Sequence, residues 1–118
     1  MPFRVTNRTR QAVLGDRIEE ARSLGDRLVG LMGRRTLPFG EGLHIVPCNS
    51  IHTFFMRLPI DVAFLDAERR IVKLMAALPP WRATSIYFRA KSVLELPAGV
   101  FAGSGTMEGD ELVFEELR

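Results

Sequence analysis

Apolar residues recur at two spacings along this chain, and the change of spacing separates one helical stretch from a run of strands. Leu24, Leu28, Leu31 and Met32 repeat at the three-to-four-residue interval that lines one face of a helix. Ser23 stands before the stripe as an N-cap, with Asp26 three positions on as the acidic half of a capping box. Gly30 and Gly33 each weaken a helix by about 1 kcal/mol relative to alanine, and their small size suits close approach of another backbone. Arg34 and Arg35 place positive charge where such a helix should end. Pro38, Gly40 and Gly42 then break the chain.

From Leu43 the pattern is β. Leu43–Val46 and Ile51–Met56 read as short strands, and Ile60–Leu65 (IDVAFL) is apolar on both faces except at Asp61. That composition suits a strand covered on both sides. Residues 66–69 (DAER) form a hairpin turn into a strand over Arg70–Ala76, which Pro79-Pro80 stops because proline cannot donate to a ladder. Ser92–Leu96 and Glu111–Glu115 are further strands, the second entered through a Gly109-Asp110 turn, and Pro97–Gly105 is a short helical turn or loop. Upstream, Ala12–Leu14 and Arg17–Ala21 are short strands about a Gly15-Asp16 turn. Residues 1–10 form a basic arm ending in the first strand, and 11–118 a single domain. The fold class is therefore α+β, mostly β: a small antiparallel half-barrel or barrel, its edge protected by one principal packed helix.

Composition adds limits to this picture. With 118 residues, 47% hydrophobic and 25% charged, the chain is long enough for one core and too apolar for disorder. Its net charge of +2 is unevenly distributed: residues 1–35 hold eight arginines against four acids, and residues 108–118 hold five acids against Arg118. Ends so charged should neutralise each other across the fold; weak nucleic-acid binding through the N-terminal arginines is the competing reading. One cysteine excludes an internal disulfide. The first eleven residues carry three arginines and no apolar core of a signal peptide, and no apolar run reaches membrane-spanning length. A cytoplasmic protein that does not engage a membrane is the expectation.

The chemistry concentrates in Pro47–Asp66, PCNSIHTFFMRLPIDVAFLD. Polar groups threaded through core-forming residues must be satisfied or used. Cys48 and His52 could be a thiolate nucleophile and its base, as in a hydrolase or transferase. With His44 they could be three metal ligands, though at no standard spacing, and no metal or other cofactor is expected. The bland alternative is a buried thiol and a hydrogen-bonded histidine. Asp61 needs an arginine or backbone donors if buried, with Arg57, Arg34, Arg35 and Arg82 as candidate partners. Ser50 and Thr53 should satisfy backbone groups. Met32, Met56, Met75, Phe54, Phe55 and Phe64 read as core, and Trp81 as a loop residue. No phosphate-binding loop, GxSxG, HExxH or CxxC motif occurs.

Four segments, GLMGRRTLPFGEGLHI (30–45), CNSIHTFFMRLPIDVAFLD (48–66), SVLELPAG (92–99) and GDELVF (109–114), together resemble the DUF192 (UPF0127) family of uncharacterised bacterial and archaeal proteins. The resemblance implies a compact β-rich barrel with a packed helix, and no established activity, substrate or cofactor. In the hairpin, where relatives usually read D-x-E-G-R, this chain has Arg69 at the glycine position. A left-handed Arg69 would carry roughly 1 kcal/mol of strain. The functional expectation is a small binding or accessory module with a polar pocket built from residues 48–61, lined by Arg34, Arg35, His52, Thr53, Arg57, Asp61 and Arg82. Its partner would be a small molecule or a protein, and nucleic acid is not the expected one.

Overall fold

The computed structural model describes residues 2–117, apart from the side chains of Leu24 and Leu28. Seven strands make one curled sheet: β1 (Phe3–Asn7), β2 (Ala12–Ala21), β3 (Gly40–Ile45), β4 (Ile60–Leu65), β5 (Ile71–Leu78), β6 (Ser92–Pro97) and β7 (Leu112–Glu116). Their order across the sheet is β5-β4-β6-β3-β2-β1-β7. Every pairing is antiparallel except β2 with β3. That parallel pair is joined by α1 (Leu24–Val29); α2 (Val100–Ser104) follows β6. The two sheet edges curl together at one end, where Arg70 bridges Glu111 and Ile71 N–H donates to Asp110 O at 2.9 Å. The result is the expected mostly-β half-barrel, with two short helices among the described residues.

Alternation along the strands makes two cores. Ala63, Leu65, Leu94 and Leu96 face the hollow of the sheet with Val5, Ile18, Ile71, Phe101 and Leu112. Val62, Phe64, Val93, Leu43 and Ile45 face outward, and would be wet but for the segments laid over them. Those covers are the stretch after α1 and two irregular loops, 46–59 and 79–91. The loops are tied by Thr53 N–H to Arg82 O (2.8 Å), Thr84 N–H to Ile51 O (2.9 Å), Tyr87 N–H to Asn49 O (2.9 Å) and Cys48 N–H to Lys91 O (3.0 Å). Ile60–Leu65 is buried at every position, as its pattern predicts. Among the described residues, no helix is long and apolar enough to cross a membrane.

Several elements differ from expectation. The segment read as a basic arm is β1, paired on both sides by β2 and β7. Gly15-Asp16 lies within the single strand β2: a Cβ on Gly15 would come 2.9 Å from Gly40 O, so the glycine permits close passage of β3. Ser23 caps α1 as expected, its hydroxyl accepting from Asp26 N–H at 3.0 Å. The helix nevertheless stops at Gly30, well before Arg34-Arg35. Gly30 and Gly33 have φ of 51° and 78° and no crowded neighbour, so they serve to turn the chain and not to admit a backbone. The helical stripe of Leu24 and Leu28 lies outside the described side chains. Ile51–Met56 is irregular, with one isolated bridge from His52 to Ala83. Phe54 and Phe55, read as core, are exposed.

Candidate functional site

Asp61 faces the inner core, fully buried, and its carboxylate is taken by backbone. Oδ1 accepts from Ala77 N–H at 2.8 Å, and Oδ2 from Gly99 N–H at 3.1 Å and Phe101 N–H at 2.9 Å. Gly99, the N-cap of α2, has no side chain to cap with, so Asp61 supplies the cap from β4. None of the candidate arginines reaches it. Arg34 pairs with Glu41 at 2.8 Å, Arg35 and Arg57 are exposed, and the Arg82 guanidinium makes a 3.5 Å contact to Pro80 O. Thr53 is buried and staples the two loops, its hydroxyl donating to Pro79 O (2.7 Å) and accepting from Arg82 N–H (2.9 Å). The polar cluster expected to line one pocket is therefore dispersed, and much of it is structural.

Cys48 and His52 do share a cavity. It measures about 200 Å³ and lies between α1, the end of β3, the 47–56 loop and β6, with Arg27, Leu31, Ile45, Ile51, Met56 and Glu95 also in its wall. The pair is not engaged as nucleophile and base. The Cys48 thiol donates to Ser50 O at 3.0 Å, and His52 Nδ1 accepts from Phe54 N–H at 3.2 Å. That bond assigns the neutral ring's proton to Nε2, leaving no free basic nitrogen. Burial pushes the Cys48 thiol up, the Ser50 backbone pulls it down, Glu95 adds to the rise and Arg27 opposes it. A thiol so held is a poor nucleophile at neutral pH. His44 is on the opposite face of β3, 4.4 Å from the Phe114 ring and 3.3 Å from Glu20. The Cys48, His44 and His52 triad is thus not assembled. No three His, Cys, Asp or Glu side chains converge in metal-binding geometry among the described residues.

The residue that sequence reading passed over is Glu95. On β6 its neighbours Leu94 and Leu96 turn into the inner core, and Glu95 turns the other way into the outer core at the cavity. It is 3% exposed, and its carboxyl makes no hydrogen bond with any described residue. Burial pushes it up to about 8. Alternation in SVLELP could have flagged it: a charge at position 95 shares a face with Val93. Across the same cavity Arg27 donates from Nη1 to Pro47 O at 3.0 Å, while its Nε is buried without a partner.

Beside the cavity runs a row of rings. His52 stacks on Phe54 (centroids 4.9 Å), Phe54 on Trp81 (5.9 Å), and Trp81 meets Phe55 at 4.8 Å. Phe55 and Trp81 both have left-handed backbones, with φ of 66° and 64°. Such conformations cost of order 1 kcal/mol or more each for side chains of this size. The surrounding bonds hold them: Gly33 N–H donates to Phe55 O and Trp81 N–H to Thr53 O, both at 3.0 Å.

The N-terminal arginines are spent on the acidic end, as the charge distribution suggests. Arg4 pairs with Glu115 at 3.1 Å, Arg8 with Glu111 at 3.7 Å and Arg10 with Asp110 at 3.0 Å.

Fold and cavity together describe a small curled β-sheet protein with two irregular loops over its outer face. The DUF192 family model, described as "Uncharacterized ACR", matches residues 4–114, and the chain belongs to that family. A UPF0127 protein of Thermococcus sibiricus is 35% identical over 114 residues, spanning 92% of this chain and 73% of the relative. One from Pyrococcus horikoshii is 31% identical over 113 residues, spanning 92% and 96%. A crystal structure of a protein of unknown function from Novosphingobium aromaticivorans superimposes with a TM-score of 0.82 at 25% identity, covering 96% of this chain and 84% of that one.

Proposed function

We propose that this protein binds a small molecule in the cavity between α1, the 47–56 loop and β6. The observation that carries the reading is Glu95: a buried carboxyl with no partner, opening on a cavity. Buried polar groups in folded proteins are nearly always paired, and one left unpaired beside a space calls for an occupant. The apolar wall with a few convergent polar groups is the ordinary composition of a ligand site. At about 200 Å³ the space falls below the roughly 300–1,000 Å³ of drug-sized sites, so the ligand is compact. Catalysis by Cys48 and His52 has no comparable support, since each is hydrogen-bonded elsewhere.

A ligand-observed NMR screen of a fragment library tests the reading. Binders should be found, and should be lost when the cavity is filled by Ile51→Trp in a variant shown by melting temperature to be folded. A library without a binder, or binders indifferent to the filled cavity, would overturn it.

A further inference from the structure

Two polar groups on this one cavity lack partners, and they are of opposite kind. Glu95 offers a carboxyl on the β6 side; on the α1 side Arg27 lines the cavity and has a buried Nε–H without a partner. They do not pair with each other, for no contact within 4.0 Å joins them, whereas Arg34–Glu41 and Arg10–Asp110 close at 2.8 and 3.0 Å. Cys48 lines the same cavity, within electrostatic reach of both. An acid and a base kept apart across an apolar space match a molecule that carries both charges itself. A lone cation would leave the Arg27 Nε unpaired and add a second positive charge near it. An anion held on Arg27 alone would leave the Glu95 carboxyl unpaired. The remaining wall, including Leu31, Ile45, Ile51 and Met56, accepts an aliphatic body.

We infer that the ligand is a compact zwitterion with an apolar side chain, of the α-amino acid type, its ammonium on Glu95 and its carboxylate on Arg27. This inference rests on the binding reading of the same cavity. Each end would be a charge-assisted hydrogen bond shielded from water, the kind whose deletion is felt most. Burial raises the Glu95 carboxyl to about 8, so it holds its proton at neutral pH, and an arriving ammonium should expel it. Binding should therefore release a proton.

Calorimetric titration at pH 7 with four probes tests this: L-leucine, N-acetyl-L-leucine, L-leucine amide and isoamylamine. Leucine should bind, and each probe lacking one charge should bind at least about tenfold more weakly, the loss of one charge-assisted hydrogen bond. The heat should vary with buffer ionisation enthalpy, reporting proton release. Glu95→Gln and Arg27→Met should each weaken leucine by a similar factor. Arg27→Lys, which keeps the charge but has no Nε–H, serves if Arg27→Met fails to fold. Capped probes binding as well as leucine would overturn the zwitterion. So would binding only by uncharged fragments, and in both cases the cavity would stand as a site. No binding by any probe or fragment would remove both.

Discussion

Arg69 occupies the position where a left-handed turn residue is required, with φ of 63°, and it is not a glycine. Its guanidinium lies 4.1 Å above the Phe114 ring, a contact that contributes roughly 0.5–1 kcal/mol and offsets strain of similar size. Two substitutions separate these effects. Arg69→Gly should relieve the strain while losing the ring contact, and leave stability within about 1 kcal/mol of the parent. Arg69→Ala loses the contact and keeps the strain, so it should unfold at lower urea than Arg69→Gly. An alanine variant as stable as the glycine one would mean that the turn is unstrained. Cys48 is the other residue whose chemistry can be read directly. Half-buried, donating to Ser50 O and with its thiol raised, it should react with iodoacetamide much more slowly at pH 7 than a free thiol. Labelling as fast as glutathione would restore the case for a thiolate nucleophile.

At the level of elements, Asp61 joins three of them. It takes Ala77 of β5 at a left-handed residue, φ 50°, and the first amides of α2, all from β4. Asp61→Asn removes the charge and sets an NH2 against buried N–H donors. A loss of about 2–4 kcal/mol is expected in urea unfolding, most of it from donors left unpaired. A loss below 1 kcal/mol would show that these bonds are not structural. The need for this device was half legible in advance. A carboxylate in the middle of IDVAFL has to be compensated, and that much follows from burial. That the donors are amides of α2 and β5, and not an arginine, depends on chain segments 16 to 40 residues away. The same limit appears in α1. Ser23 and Asp26 mark its start locally, but its end comes at Gly30, where the chain must turn to cover the outer core. Phe54 and Phe55 show the converse: two rings read as core lie outside because their loop is tied by backbone to residues 79–91.

For the whole molecule, two buried titratable groups set opposite pH slopes. Glu95 has its folded value raised, from 4.5 to about 8, so the stability present at low pH is lost as pH rises across that window. His44 has its folded value depressed by burial, from 6.5 to about 4, the Glu20 hydrogen bond opposing only in part. Its contribution is complete above 6.5 and is lost as pH falls toward 4. Each slope is about 1.4 kcal/mol per pH unit at its steepest. Between pH 4.5 and 6.5 they cancel, which predicts a plateau, a decline from 6.5 to 8 due to Glu95, and an acid decline due to His44. Urea midpoints measured from pH 4 to 9 check this. In Glu95→Gln the decline above 6.5 should vanish and the plateau should tilt, stability rising with pH up to 6.5. A parent protein with no decline between 6.5 and 8 would contradict the buried, unpaired state of Glu95.

The mostly-β half-barrel, the doubly buried strand Ile60–Leu65, the Ser23 cap and the mutual neutralisation of the two chain ends could all be read along the chain. Each follows from local periodicity, a local cap or a count of charge. The site could not. Cys48 and His52 were visible as candidates, yet only their placement shows that they share a wall without touching. Glu95 and Arg27, 68 residues apart by number, meet across one cavity because β6 lies beside β3 in the sheet while α1 follows β2. That neighbourhood is a matter of strand order, and strand order comes from how seven short strands close over two cores. A carboxyl that reads as one polar residue in SVLELP becomes a candidate anchor only when packing removes both its water and its partners.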